Sequence, residues 1–347
     1  MRALLTRMGA LGRGRRSGAA RFGVALAVLA LGLSTGALTD RLHPPGRWID
    51  IGGRRMHIVC EGPKLAGQPT VLFESGAFGF SADWAVVQAK LTRLGVHSCA
   101  YDRAGLGFSD PAPSPRDGEH VAADLEQTLR GAGEVGPFVL VSHSMAGLYV
   151  RLFADRNRGQ VTGLVLVDST TPEAMGDKTT RDYVDSFTFG AKAAATAGSL
   201  GLMLPLRGSP LANKIGLTAE AETEKRHMFA SGAYNRAAAA EVEQWPKTAL
   251  EARQSGRLDP DWPVAVISAG LVQGPMRDVQ AAPALGSRHG SVDIVPGASH
   301  DALLGPRFAD VVVRRIVLVM QAAARPAPPV TVASQTRAAD GEPSERR

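Results

Sequence analysis

The sequence predicts an α/β fold, a mostly parallel β-sheet flanked by helices, with an all-helical insertion before the last strands. Two observations carry this. From Trp48 onward, short runs rich in Val, Leu and Ile alternate with segments of helical spacing, as they do when crossover helices join parallel strands. Between the apolar runs 161–167 and 264–268 the alternation stops, and the intervening chain is Ala-, Glu- and Lys-rich without strand character.

In chain order, 48–51 and 55–60 read as a strand pair turning at Gly52-Gly53. Residues 70–74 form a continuous apolar strand that runs into the Gly-rich loop Glu74-Ser75-Gly76-Ala77-Phe78-Gly79. A strand at 96–101 ends at Asp102-Arg103-Ala104-Gly105-Leu106-Gly107, a run whose glycines suit a tight crossover and whose charged pair is expected to hold that loop. Val121, Leu125 and Leu129 share one face of a helix over 117–132. A strand at 138–142 precedes a helix at 145–157. The runs 161–167 and 264–268 are unbroken Val, Leu and Ile, as in strands buried on both faces. A last strand covers 291–295, and an amphipathic helix over 307–323 closes the domain. Helical stretches at 192–201, 218–231 and 233–257 make the insertion a cap of about residues 172–260, the way a lid is built over a site. The polar, Pro-rich tail 324–347 is expected to be disordered.

The net charge of +6 invites a nucleic-acid partner, but its location argues otherwise. Arg2, Arg7, Arg13, Arg15, Arg16 and Arg21 all precede the first acidic residue, Asp40. Without those six, the 39 basic residues fall into balance with the 33 acidic ones. The excess is a basic leader over 1–21 rather than a phosphate-binding surface. Residues 22–39 follow, uncharged and mostly apolar. As a helix they would span about 27 Å, against a hydrocarbon core of roughly 30 Å. They are expected to be either a transmembrane anchor, which is preferred, or a signal peptide cleaved near Thr35-Gly36-Ala37. Either way the domain at 45–323 is expected to be exported, tethered to a membrane or secreted. Cys60 and Cys99 are the only cysteines. They form a disulfide in such an exported domain, or remain two separate buried thiols. The eight histidines are scattered, and no phosphate loop or metal-ligand pattern is legible, so neither cofactor nor metal is expected.

The chemistry centres on Val141-Ser142-His143-Ser144-Met145-Ala146-Gly147. A nucleophilic serine needs an unhindered hydroxyl, a base and donors for an oxyanion. A sharp strand-to-helix turn exposes the hydroxyl, and its crowding demands small residues two before and two after, here Ser142 and Ala146. Ser144 is therefore the expected nucleophile. The Met145 N–H, at the helix N-terminus, is one oxyanion donor. The Ala77 N–H, in the loop after the 70–74 strand, is the other. The base is His300, in the loop after the last strand; His143, His227 and His97 are less well placed. The acid is Asp168, ending the 161–167 strand, with Asp278 as the alternative, since no carboxylate lies between 269 and 278. Either can hold the His300 Nδ1–H and stabilise the imidazolium.

With these residues in view, the chain resembles α/β-hydrolase-fold proteins. The resemblance rests on Phe73-Glu-Ser-Gly-Ala77, the run from Tyr101 to Asp110, the run from Val141 to Tyr149, Leu164-Val-Leu-Val-Asp168 and Gly297-Ala-Ser-His300. The Arg-rich leader and His43-Pro-Pro-Gly46 are similar to those of membrane-anchored bacterial members. The resemblance implies an eight-stranded sheet, a helical cap inserted after the sixth strand, no cofactor, and a triad of Ser144 and His300 with an acid. Three departures stand out: Ser142 and Ala146 replace glycines, Ser75 replaces a common histidine, and no Asp occupies the usual late position. Serine at 144 argues against dehalogenase and epoxide-hydrolase chemistry, which place a carboxylate there. The expected reaction is hydrolysis of a small-molecule carboxylic ester through an acyl-enzyme. Leu200, Leu202, Met203, Leu204 and Leu206 point to a hydrophobic substrate group. Lactone, amide or carbon–carbon cleavage on the same triad, or a non-hydrolytic binding protein, are the alternatives.

Overall fold

The structure, a computed structural model, describes residues 42–270 and 275–324, leaving aside the side chains of Pro275 and Met276. The leader, the apolar run 22–39 and the tail beyond Ala324 lie outside the described residues. Among the described residues, no helix is long and apolar enough to cross a membrane.

Eight strands form one sheet. They are β1 (Arg47–Asp50), β2 (Arg55–Glu61), β3 (Thr70–Glu74), β4 (Ser98–Tyr101), β5 (Phe138–His143), β6 (Val161–Val167), β7 (Val264–Ala269) and β8 (Ser291–Val295). Their spatial order is β1-β2-β4-β3-β5-β6-β7-β8. The β1–β2 and β2–β4 pairs are antiparallel, and every pair from β4 to β8 is parallel. Period-two alternation splits the strand residues between two cores. Val71, Phe73, Val139, Val141, Val165, Val167 and Ile267 face α1 (Ala85–Arg93) and α9 (Ala309–Ala323). Leu72, Leu140, Leu164, Leu166 and Val266 face α2 (Gly118–Ala132) and α3 (Ala146–Arg156). Because both faces are covered, the central strands are unbroken apolar runs.

Four helices lie between β6 and β7: α4 (Lys178–Ser199), α5 (Ala219–Ala230), α6 (Gly232–Glu243) and α7 (Trp245–Gln254). Helix α4 starts well before the predicted 192. The Asp177 side chain caps it by accepting from the Thr180 N–H at 2.9 Å, and burial of Val184 outweighs the weak helix propensity of Thr179, Thr180 and Gly190. The single helix predicted over 233–257 breaks at Gln244, where Pro246 opens a new helix in its first turn. Helices α4 and α6 approach backbone to backbone, since a Cβ on Gly232 would sit 2.8 Å from the Ser199 Cα. Two helices, α1 and α8 (Pro275–Leu285), have no predicted counterpart.

Candidate active site

The C-terminal ends of the parallel strands gather every predicted site residue except Asp278. Ser144 follows β5 with φ of 58°, a left-handed conformation that costs a non-glycine residue about 1–2 kcal/mol. Three backbone bonds hold it there. Its N–H donates to the Val167 carbonyl at 3.2 Å, and its carbonyl accepts from Gly147 at 3.2 Å and Thr170 at 2.8 Å. A Cβ on Gly147 would lie 2.3 Å from the Thr170 oxygen, so only glycine fits. Ser142 is tolerated in this crowded turn because its hydroxyl is satisfied, 2.9 Å from the Ser169 hydroxyl.

The Gly-rich loop after β3 presses against this turn. A Cβ on Gly76 would stand 2.8 Å from the Ser144 Cβ and 3.1 Å from the His143 carbonyl oxygen. Among the described residues, neither the Ala77 nor the Met145 N–H has an acceptor, leaving both available to a ligand. The loop is gripped from below by Arg103, 1% exposed, which donates to the carbonyls of Ser75 and Gly76. Glu74 and Glu241 flank that guanidinium at 2.7 and 2.9 Å. Although burial opposes its charge, the two carboxylates raise its pKa well above the ordinary value. The sequence suggested only a crossover loop here. Asp102 does serve it, accepting from the Ser81 and Phe108 N–H groups at 2.8 Å each, but Arg103 ties the loop at 74–79 to the cap through Glu241 of α6. From above, Lys225 of α5 and Tyr234 of α6 donate to the Phe78 carbonyl at 2.9 and 2.6 Å. No short-range sequence signal marks these cap contacts.

His300 lies after β8, with its Nδ1 2.6 Å from Asp168 Oδ2. Asp168 is buried at the end of β6 with φ of 45°. Its other oxygen accepts from the Ala269 N–H at 3.1 Å and from Gln280 Nε2 at 3.2 Å. The Ser268 hydroxyl donates to Gln280 Oε1, which orients that amide. Burial pushes the Asp168 pKa up, but the His300 contacts outweigh it and hold the carboxyl below its ordinary value. Asp278 is exposed on α8. The helix turns Gln280, two residues on, toward the site in its place. His143 is not remote: its ring centroid is 4.3 Å from that of His300, and its Nε2 is 3.2 Å from the His300 carbonyl, to which it donates. Burial, then the charge of His300, lowers its pKa to about 3, so it stays a neutral donor holding the His300 backbone. His227 lies on α5, and His97 just before β4, at the other end of the sheet.

A cavity of about 950 Å³ joins these groups. Ser144, His300, Asp168, Gly76 and Ala77 line its floor, and Phe78, Tyr183, Phe187 and Trp245 form an aromatic wall. The Phe187 ring meets Trp245 edge-on at 5.9 Å and stacks on Tyr183 at 5.8 Å. Of the five apolar residues singled out in the sequence, Met203 and Leu206 line the cavity, whereas Leu200 and Leu202 face solvent.

The sequence profile of the alpha/beta hydrolase fold matches residues 69–269. Curated relatives include an uncharacterized protein of Schizosaccharomyces pombe, 28% identical over 63% of this chain and 40% of the relative. Epoxide hydrolase 3 of Xenopus tropicalis is 33% identical over 40% of this chain and 38% of its own length. The matches thus span well under half of these relatives. Similar solved structures include an epoxide hydrolase from Vigna radiata (TM-score 0.63, 18% identity, 79% of this chain and 97% of that one). A thermophilic esterase from Thermogutta terrifontis is also similar (TM-score 0.57, 19% identity, 81% of this chain and all of that one). At such identities the structural likeness speaks for the fold.

Proposed function

This chain belongs to the alpha/beta hydrolase fold family, and from that premise we propose that it is a serine hydrolase acting on carboxylic esters with a hydrophobic group. The observation that carries the reading is the 2.6 Å hydrogen bond between His300 Nδ1 and buried Asp168, in the cavity that Ser144 also lines. A carboxylate on Nδ1 keeps the proton there and leaves Nε2 with a lone pair for the serine hydroxyl. Ser144 attacks the carbonyl as His300 takes its proton, and Asp168 stabilises the imidazolium. The N–H groups of Met145 and Ala77 receive the oxyanion. His300 then protonates the leaving alcohol, and water, deprotonated by the same base, releases the acid. An ester is favoured over an amide because an alkoxide leaves more readily than an amide anion. The aromatic wall supports a hydrophobic acyl or alcohol group.

A fluorophosphonate probe tests the nucleophile. Wild type should label with one adduct per chain and Ser144→Ala should not; no labelling of wild type, or equal labelling of both, refutes the assignment. A panel of p-nitrophenyl esters of graded acyl length tests the substrate class. We further infer that residues 1–39 anchor the domain to a membrane or export it, in keeping with their basic leader and apolar run. N-terminal sequencing of the mature protein distinguishes anchor from cleaved signal.

A further inference from the structure

At the end of the sheet opposite the cavity, where β3, β4 and β5 begin, four ligand-type side chains converge. Cys60 on β2, His97 and Cys99 at the start of β4, and Glu134 just after α2 place their ligand atoms within 4.8 Å of one another. They are scattered in the sequence, which is why no ligand pattern was legible there. Cys60 and Cys99 are register partners across the β2–β4 ladder and are joined as a disulfide. We propose that this cluster is a redox-controlled metal site: with the disulfide reduced, Cys60, Cys99, His97 and Glu134 bind one zinc ion.

The donor set is two sulfurs, one imidazole nitrogen and one carboxylate oxygen, the mixture that tetrahedral zinc accepts. Both non-sulfur ligands are already oriented. His97 Nδ1 lies 3.0 Å from the Gly62 carbonyl, which can only accept, so that nitrogen carries its hydrogen and Nε2 points into the cluster. Histidine ligands to metals are held by such a carbonyl. Gly62 keeps the carbonyl in place, with φ of +81° and no room for a Cβ, which would lie 2.2 Å from the Val96 oxygen. Glu134 Oε2 is engaged by Lys64 Nζ at 3.0 Å and the Thr70 hydroxyl at 3.2 Å. Oε1 is left facing His97 Nε2 at 3.2 Å. Two acceptors at that distance need a proton or a metal ion between them. Charge also balances, which matters because Cys99 and Glu134 are buried. Two thiolates and one carboxylate meet a divalent ion and the Lys64 ammonium, and the assembly is neutral.

The chemistry is a two-electron exchange. A dithiol reductant donates two electrons and two protons to the S–S bond, becomes its own disulfide, and leaves Cys60 and Cys99 as thiols. Zinc then displaces both thiol protons and the proton shared by His97 and Glu134, forming two Zn–S bonds, one Zn–N and one Zn–O. Exchange with a disulfide oxidant re-forms the S–S bond and expels the ion. The strands β2 and β4 are thus tied by sulfur chemistry in one redox state and by metal in the other.

The test uses full-length protein, oxidised or reduced with a phosphine that leaves as its oxide, equilibrated with zinc and desalted. Metal analysis should find one zinc per chain in the reduced protein and none in the oxidised. Cobalt in place of zinc should give a thiolate-to-metal charge-transfer band in the reduced protein. His97→Ala and Glu134→Gln should weaken zinc binding by roughly 10-fold or more. Reduced wild type holding no more zinc than oxidised, or as little as a Cys60→Ser/Cys99→Ser variant, overturns the proposal. If the variants fail to fold, absence of the cobalt–thiolate band in reduced wild type overturns it alone. The readout is metal content, so it stands apart from any activity of Ser144.

Discussion

Asp168→Asn is the sharpest perturbation of the proposed mechanism, because the surroundings of that side chain dictate how an amide must sit. Asp168 Oδ1 receives two donors, the Ala269 N–H and Gln280 Nε2, and the first of these, a backbone N–H, can only donate. An asparagine must therefore turn its single carbonyl oxygen toward that pair, leaving its NH2 against His300 Nδ1, now 2.6 Å from Oδ2. Two donors cannot share that contact. His300 has to carry its hydrogen on Nε2 instead, and the lone pair that would receive the Ser144 proton is lost. The wrong tautomer, with the imidazolium left unpaired, is worth about 10³–10⁴ in kcat, or roughly 4–5.5 kcal/mol of barrier. Folding should lose less, about 1.5–3 kcal/mol for one charge-assisted hydrogen bond. Steady-state hydrolysis of a p-nitrophenyl ester, with thermal unfolding as the control for fold, measures both. Asp278→Asn, on the exposed face of α8, should leave kcat unchanged. An Asp168→Asn enzyme within tenfold of wild type, or an Asp278→Asn enzyme equally impaired, would refute the reasoning.

Four further outcomes follow from the same geometry. Gly76→Ala puts a Cβ 2.8 Å from that of Ser144 in a loop that Arg103 holds in place; it should cost about 1–3 kcal/mol of stability and slow fluorophosphonate labelling, and labelling at the wild-type rate contradicts the packing. Tyr234→Phe and Lys225→Met each remove one of the two donors to the Phe78 carbonyl and should lower kcat/KM, the first costing about 1 kcal/mol in unfolding and the second about 3–5 kcal/mol because it also leaves buried Asp83 without its ion-pair partner; unchanged kinetics in the double variant would show that the cap does not steady this loop. Burial and then the Asp102 charge raise the Glu224 pKa from 4.5 to about 7, so the folded state prefers its neutral form. Stability is lost as pH rises from 4.5 through 7, and Glu224→Gln should regain on the order of 2 kcal/mol at pH 8 after discounting for solvent screening, with little effect near pH 4; equal urea midpoints at pH 8 count against it. Reducing the Cys60–Cys99 bond, which spans 39 positions, should cost about 4 kcal/mol by chain entropy when zinc is absent, read as a lowered Tm in a chelating buffer.

The order and type of the central elements are legible in the sequence because they depend on short-range pattern. Strands β3, β5, β6 and β7 are covered on both faces and so read as unbroken apolar runs, and α2 shows its period through Val121, Leu125 and Leu129. Boundaries set by remote contacts were not legible. Helix α4 extends through weak helix formers because the cap buries one face of it, and α8 has no predicted counterpart.

The sequence by itself determined the strand-to-helix turn at Ser144, since its small neighbours, the apolar run before it and the helical period after it are all local. It also placed a Gly-rich loop and a histidine loop at strand ends, where a parallel sheet must bring them together. Which carboxylate faces His300 was decided by tertiary structure alone. Asp168 and Asp278 are both admissible in chain order, and only the pairing of β6 with β7 and the orientation of α8 bring one to 2.6 Å and turn the other to solvent. The same holds for Arg103 beneath the loop and for His143 against His300, and for the four ligand-type residues that meet at the far end of the sheet. Apart from His97 and Cys99, which are near neighbours in the chain, their partners lie tens of residues away, and proximity of that kind is a property of the packed sheet, not of any stretch of chain.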